Sequence, residues 1–477
     1  MKVNKLKKEK ISHILRLVSV VIVILPIVLS VFKMDIHCDS AYYISMVERI
    51  CEGYIPYKTL CLGYSPLWFY ITAAYKILFN IPNGVYEPYL LLHYMYQILN
   101  AYLIFKILRK FYVNVNISFY CSLLYLLMSH WLIGNSVLLE TPSIFWGLLS
   151  CWLILYFKDN GSKHYFWIGI ICCFSFLTKQ FGLGFLPLGV LLIFFFAKNK
   201  LSKLMFLILG YLLPIIICFL YWEYSFVKII FSGYGTSSAL EVGRNVDLLT
   251  KLNQIIINVI YHIKRINPVV LFSLLFIPEL IKQCKWKEYL FCICGFGFIL
   301  QFYFVGGGLH YQLYIVPFSI MIIALLIDLK LNKIKKYILV IIVASTILMS
   351  LYSTYYNRVY KIYIKSNVKY EHIKIANWVK ENTEQKKTLY IVHGGIYDMY
   401  FLTNLLPPNL KTIGYSFGPL GINSEECKQQ IDDADYILRF TSDYAYEAFF
   451  TPELKEYCEQ KPSIYYNEDI VLHINNN

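Results

Sequence analysis

The sequence predicts an all-α polytopic membrane protein of about eleven transmembrane helices, closed by a small C-terminal α/β domain. Three observations carry that expectation. Apolar residues make up 58% of the 477 positions and charged residues only 16%, too little polar surface for a soluble chain of this length. Lysine and arginine clusters follow every second apolar run, as loops on the cytoplasmic side of a membrane do. Beyond residue 356 the long apolar runs stop and a polar, mixed pattern begins.

At the N-terminus, Lys2, Lys5, Lys7, Lys8 and Lys10 precede an apolar run from Ile14 to Phe32. That run is long enough to span, and Lys33-Met34-Asp35 lacks a small-residue cleavage pattern, so it reads as an uncleaved first span. Further spans are expected near 86–106, 115–135, 142–157, 164–179, 182–197, 204–221, 267–282, 288–305, 312–329 and 337–356. The basic clusters between them are Lys106/Arg109/Lys110, Lys158/Lys163, Lys198/Lys200/Lys203, Lys282/Lys285/Lys287 and Lys330/Lys333/Lys335/Lys336. With the N-terminal lysines, all fall on the cytoplasmic side.

The apolar run Ser65–Ile81 decides the alternation, because counting it as a span would put Lys106/Arg109/Lys110 outside. Its aromatic residues, Tyr64, Trp68, Tyr70 and Tyr75, suit an interfacial or re-entrant helix instead. The loop 222–266 departs from the charge rule, carrying Lys228, Arg244, Lys251, Lys264 and Arg265 on the outside. Its length weakens the rule, and its basic residues suit an anionic substrate.

The odd number of spans places 357–477 outside as well. There the sequence predicts a helix over Val368–Glu381, a strand over Thr388–His393 and a turn at Gly394-Gly395. A second strand (Asp435–Phe440), a helix (Asp443–Tyr457) and a strand-like run, Ser463–Ile474, follow. The expected division is therefore a membrane module, 1–356, with an external loop at 33–85, followed by a small external domain at 357–477.

A net charge of +14 could suit nucleic acid, but the basic residues form no single patch, so that class is set aside. Most of the 13 cysteines lie inside apolar runs, where they behave as small hydrophobes. Cys38, Cys51 and Cys61 share the first external loop, a place where a disulfide could form.

With this topology the polar residues that stand out gather on the outer face. The first loop holds Asp35, His37, Asp39, Glu48, Lys58 and the turn Gly63-Tyr64-Ser65-Pro66-Leu67. Glu140 lies in LLETP between the third and fourth spans, Lys179-Gln180 at the next outer turn, and His310-Tyr311-Gln312 follows Gly306-Gly307-Gly308. Ionisable groups at membrane depth are costly and mark function. Each also has an ordinary structural role: Asp39 as a helix cap, Glu140 as the acid opening a helix, Lys179 reaching for headgroups, His310 at the interface, Lys58 in solvent. Their common face is what raises the functional reading.

The order Asp39-x-x-Tyr42-Tyr43, then Glu52-Gly53-x-x-Pro56-Tyr57, then Tyr64-Ser65-Pro66-Leu67 resembles the first external loop of GT-C-fold glycosyltransferases. The similarity is to the protein-mannosyltransferase-like and aminoarabinose-transferase-like group. Glu140 before Pro142, Lys179-Gln180 before Phe181-Gly182, and His310-Tyr311 before Pro317 follow in the same order, so the resemblance covers roughly 1–356. It implies inverting transfer of a sugar from a polyprenyl phosphate to an acceptor hydroxyl of a glycan, lipid or protein, outside the membrane.

Asp39 matches the family's first-loop catalytic acid and Glu140 its second external acid. A departing phosphate is stabilised by cations in a partly dehydrated site, for which Lys179, His310 and Arg244 are the candidates. Gln180, Tyr311, Tyr42, Tyr64 and Lys58 complete the expected substrate contacts. Two departures stand: Glu140 where many relatives have Asp, and Lys58-Thr59 where many carry an acid. No cofactor is expected, and the missing loop carboxylate leaves a divalent metal open. The alternatives are a lipid-linked glycan flippase or transporter, and an O-antigen-type polymerase. The first calls for midplane charges and matched repeats, which the sequence lacks.

Overall fold

The computed structural model describes residues 2–32, 38–60, 62, 64–133, 136–233, 249, 253, 256–257, 272–301, 309–356, 359–360, 368–384, 387–392, 398–408, 424–440, 452–468 and 470–475. Packing divides the chain into two compact units. One comprises 1–34, 91–217 and 248–365; the other comprises 35–90, 218–247 and 366–477. The first external loop, grouped with the membrane module on sequence, thus packs in the unit that contains the C-terminal segment.

The first unit is helical. Its helices are α1 (Lys2–Phe32), α4 (Glu87–Lys110), α5 (Val115–Ile133), α6 (Glu140–Tyr156), α7 (His164–Thr178), α8 (Phe185–Phe196) and α9 (Lys200–Gly233). Two of these, α4 and α9, each include residues that belong to the second unit, 87–90 and 218–233. Short helices α10 (Ile277–Lys282) and α11 (Trp286–Gly295) follow, then α12 (Val316–Asp328) and α13 (Lys333–Tyr352). Among the described residues, the helical stretches Lys200–Trp222 and Lys333–Tyr356 are long and apolar enough to cross a membrane. Most of the other apolar runs form helices where the sequence expects spans.

The expected spans 267–282 and 288–305 differ. They contain α10 and α11 with 3₁₀ turns at Leu274–Phe276 and Phe296–Gln301. Pro278 stands in the first turn of α10, where its missing N–H costs nothing, and Gly295 ends α11 where a Cβ would meet the Phe318 ring.

Two features fix how these helices meet. Gly169 of α7 and Gly210 of α9 bring the backbones together. A Cβ at Gly210 would fall on the Phe166 carbonyl oxygen, and one at Gly169 on that of Leu207. The basic clusters also stitch one end of the unit. Lys285 donates to the Phe111 carbonyl at 2.5 Å and Lys203 to that of Lys158 at 2.5 Å. Gln283 and the Lys330 backbone exchange two hydrogen bonds of 3.0–3.1 Å, and the Asn114 amide donates to Asp328 at 3.0 Å. The sequence segments whose lysines and arginines define the alternation therefore lie together at one end.

In the second unit, α2 (Cys38–Cys51) packs on α3 (Leu67–Leu78). At 1.5 Å per residue α3's 12 residues reach about 18 Å, short of a bilayer core of about 30 Å. The C-terminal segment holds α14 (Val368–Glu381), β1 (Leu389–Val392), α15 (Asp398–Thr403), α16 (Ser424–Asp433), β2 (Tyr436–Phe440), α17 (Pro452–Glu459), β3 (Ser463–Asn467) and β4 (Ile470–Ile474). The sheet order is β1-β2-β4-β3, with β1 parallel to β2 and the other pairs antiparallel.

Ile375, Val379, Met399, Leu438 and Leu472 pack on one side of the sheet, and Ile431, Ile437 and Cys458 on the other. The strand-like run Ser463–Ile474 is a hairpin: β3 ends at Asn467, β4 begins at Ile470, and the register shifts between Tyr465 and Asn467. The expected helix Asp443–Tyr457 is described only as α17, and the Gly394-Gly395 turn lies outside the described residues.

Candidate functional site

The helical unit brings three of the singled-out residues together at the end opposite its basic clusters. Each arrives there for a local reason. Glu140 is the first residue of α6, where an acid suits the positive helix end and Pro142 lacks an N–H that would have no partner. Lys179 follows α7, its backbone extended (φ −151°, ψ 137°) before a 3₁₀ turn over Gln180–Gly184. His310 lies in the 3₁₀ turn Leu309–Tyr314 that leads into α12.

Glu140 is 0% exposed and Lys179 is 1% exposed. The Lys179 ammonium donates to Glu140 Oε1, and His310 Nε2 lies 3.7 Å from the same oxygen. Lys179 Nζ also sits 4.8 Å from the Tyr311 ring centre, and Tyr311 packs on Phe181 at 5.3 Å. Lys179 is thus held inward instead of reaching for headgroups. Glu140 Oε2 is buried with no hydrogen-bond partner among the described residues. A buried carboxylate with one oxygen unsatisfied is a costly arrangement, and one that a ligand hydroxyl would relieve.

One helical turn away, a second layer fixes the geometry. Tyr314 donates its hydroxyl to Ser143 Oγ at 2.8 Å. Ser143 Oγ donates to the Ser175 carbonyl at 2.9 Å, and Ser175 Oγ to the Ser143 carbonyl at 2.7 Å. Ser143 follows Glu140 by one turn, Ser175 precedes Lys179 by one, and Tyr314 follows His310 by one, so this triad locks the three site residues in register. On the other side of α6, Asn100 donates to the Thr141 carbonyl at 3.0 Å and to Tyr125 Oη at 3.2 Å. His93 Nε2 lies 3.0 Å from Gln97 Nε2 and 3.4 Å from Thr141 Oγ1. None of these residues stood out in sequence, because single polar side chains in apolar runs carry no signal of whom they meet.

Asp39 is buried in the first turn of α2, in the second unit. Tyr42 and Tyr64 pack against each other at 6.1 Å, and both pack on Tyr43, at 5.7 and 5.3 Å. Lys58 is exposed, with its ammonium 4.9 Å from the Tyr221 ring. Gln180 is buried in its 3₁₀ turn. Arg244 and Gly306-Gly307-Gly308 lie outside the described residues. Cys51 is a free thiol directed at the Ala73 carbonyl, 3.7 Å away. Among the described residues, no three His, Cys, Asp or Glu side chains gather as a metal site.

Comparison with solved structures identifies the fold. ArnT from Cupriavidus metallidurans bound to undecaprenyl phosphate superposes with a TM-score of 0.61 over 97% of each chain, at 10% identity. Its apo state gives 0.56 over the same shares, at 12% identity. The Archaeoglobus fulgidus oligosaccharyltransferase in complex with Zn and sulfate gives 0.53 over 98% of this chain and 73% of its own, at 12% identity. No family model and no curated protein matches the sequence. The chain therefore has the GT-C fold that these structures share.

Proposed function

We propose that this chain is an inverting membrane glycosyltransferase. It moves one sugar from a polyprenyl-phosphate donor to an acceptor hydroxyl at the non-cytoplasmic face. The observation that supports this reading best is the buried Glu140–Lys179 pair with His310 beside it, set in a GT-C fold at the end away from the basic clusters. The basic end faces the cytoplasm, the N-terminus lies with it, and the site belongs to the outer leaflet of the plasma membrane. The lipid tail of the donor lies along the apolar helices, while its phosphate stays with the cations.

In the transfer, the acceptor oxygen forms a bond to the anomeric carbon as the bond from that carbon to the phosphate oxygen breaks. Attack opposite the leaving group inverts the centre. The acceptor proton passes to Asp39, the residue that matches the first-loop catalytic acid of the resembling family. The phosphate departs with an added negative charge, which Lys179 and His310 stabilise in a site largely closed to water. Glu140 aims the Lys179 ammonium, and its Oε2 accepts a hydroxyl of the sugar or acceptor. Arg244 is a further cation for the phosphate.

The test is sugar transfer by the purified protein in detergent, from a synthetic polyprenyl-phosphate sugar to an envelope extract. Transfer is expected, and Asp39→Asn should lower turnover about 10²-fold with donor binding kept. Detergent abolishes vectorial transport, so flux of intact lipid-linked glycan in liposomes with no transfer to any extract would overturn the reading in favour of a flippase. Alkaline phosphatase fused after residue 360 should be active; an inactive fusion would reverse the orientation.

A further inference from the structure

The second unit contains a buried acid that the proposed chemistry does not use. Glu48, on the C-terminal half of α2, is only 1% exposed, and its Oε1 accepts the Gly84 amide at 2.8 Å. Gly84 has a positive φ of 75°, so that amide direction belongs to a backbone that glycine adopts without strain. From the neighbouring helix, Lys76 of α3 is also buried and donates to the Ile81 carbonyl at 2.5 Å. The turn Ile81–Gly84 is therefore gripped twice: an acid from α2 takes an N–H, and a base from α3 gives to a C=O. Around this grip, Arg49 bonds Glu52 at 2.5 Å and Asn404 at 3.3 Å, and Asn83 donates to Glu52 at 3.1 Å.

We propose that Glu48 is a proton-operated latch that sets how firmly α2, and with it Asp39, is held to the Ile81–Gly84 turn. The charged and titratable groups facing it are Arg49 and Cys51 on α2, Glu52 just after it, Lys76 on α3 and Tyr89 on α4. Burial is the largest influence and pushes the Glu48 carboxyl up from 4.5 to about 7. The Gly84 amide, Lys76 and Arg49 pull it down, and Glu52 adds to the rise.

Direction follows from linkage. An opened latch exposes Glu48 to water at its ordinary value, so the proton favours the closed state. Closure is tightest at acid pH, loosens as pH rises from 4.5 towards about 7, and changes no further above that. As a positioning residue, Glu48 acts on the reaction only through α2, and that part rests on the proposed role of Asp39.

Hydrogen exchange of the peptide containing the Gly84 amide, in the full chain, tests the latch without turnover. After correction for intrinsic rates, exchange should rise about tenfold to a hundredfold between pH 5.5 and pH 8. Glu48→Gln keeps an acceptor for the amide but no proton to lose, so exchange should stay slow at both pH values. Glu48→Ala should exchange fast at both, and Glu52→Gln should keep the wild-type rise. A flat wild-type profile, or the same rise in Glu48→Gln, overturns the proposal. Where transfer is measurable, the inflection near pH 7 in kcat should vanish in Glu48→Gln. Because the exchange arm needs no sugar transfer, a failed transfer assay leaves the latch tested on its own.

Discussion

At the basic end of the helical unit, Lys203 and Lys285 place their ammonium groups on backbone carbonyls, and Lys110 and Lys200 lie over the Tyr156 and Phe194 rings. At the opposite end, Lys179 is sealed against a carboxylate, with the imidazole of His310 beside it. The first arrangement sets cations on neutral dipoles and rings: even Lys203, 1% exposed, meets a backbone carbonyl. The second buries two full charges together, which costs several kcal/mol per ion before their attraction offsets it. A folded chain gains little by such a pair over a hydrophobic one, so the pair fits the proposed chemistry better than a purely structural role.

The largest expected effect breaks this contrast outright. Glu140→Ala leaves Lys179 buried without its carboxylate and should cost about 3–5 kcal/mol, read as a lower unfolding temperature in detergent. The double change Glu140→Gln with Lys179→Met should recover most of that stability and no transfer activity. Recovery of both would make the pair purely structural. Next in size, Tyr314→Phe removes one hydrogen bond of the triad and should cost about 1 kcal/mol, with a fall in turnover larger than any change in donor affinity. Lys285→Met at the basic end should cost roughly 0.5 kcal/mol and leave turnover unchanged. The smallest effect belongs to Lys335→Gln. Its half-buried pair with Glu279 at 2.5 Å should contribute only a few tenths of a kcal/mol and vanish in high salt. A basic-end substitution that abolished transfer would erase the distinction between the two ends.

The helices of the first unit were legible because a span needs an unbroken apolar run and its cytoplasmic end needs lysine or arginine. α6 starts at Glu140 and α4 ends at Lys110, within a few residues of the expected spans 142–157 and 86–106. Asp39, Glu140, Lys179 and His310 were also legible one by one, as polar groups where polarity is expensive. Their relation was not. Nothing in sequence says that Lys179 turns inward to a residue 39 positions away, or that Ser143, Ser175 and Tyr314 tie the same helices together. Nothing in sequence marks Glu48 and Arg49 as buried, at 1% and 5% exposure, since only the fold brings the Ile81–Gly84 turn to Glu48. In the C-terminal segment, α15 and α16 went unread because six and ten residues give too few turns for a helical period to show.

The turn that joins α4 to α5 has a consequence for how the chain is made. Its Phe111 carbonyl waits for Lys285, 174 residues later, and its Asn114 amide for Asp328, 214 residues later. In the proposed orientation this turn emerges on the ribosome's side of the membrane early in synthesis and stays unfinished through most of translation. A nascent chain arrested before residue 285 should therefore present the turn to added protease, while one released after residue 330 should hide it. Membrane insertion and final assembly of this hairpin are separate events, divided by the time the ribosome takes to reach its partners.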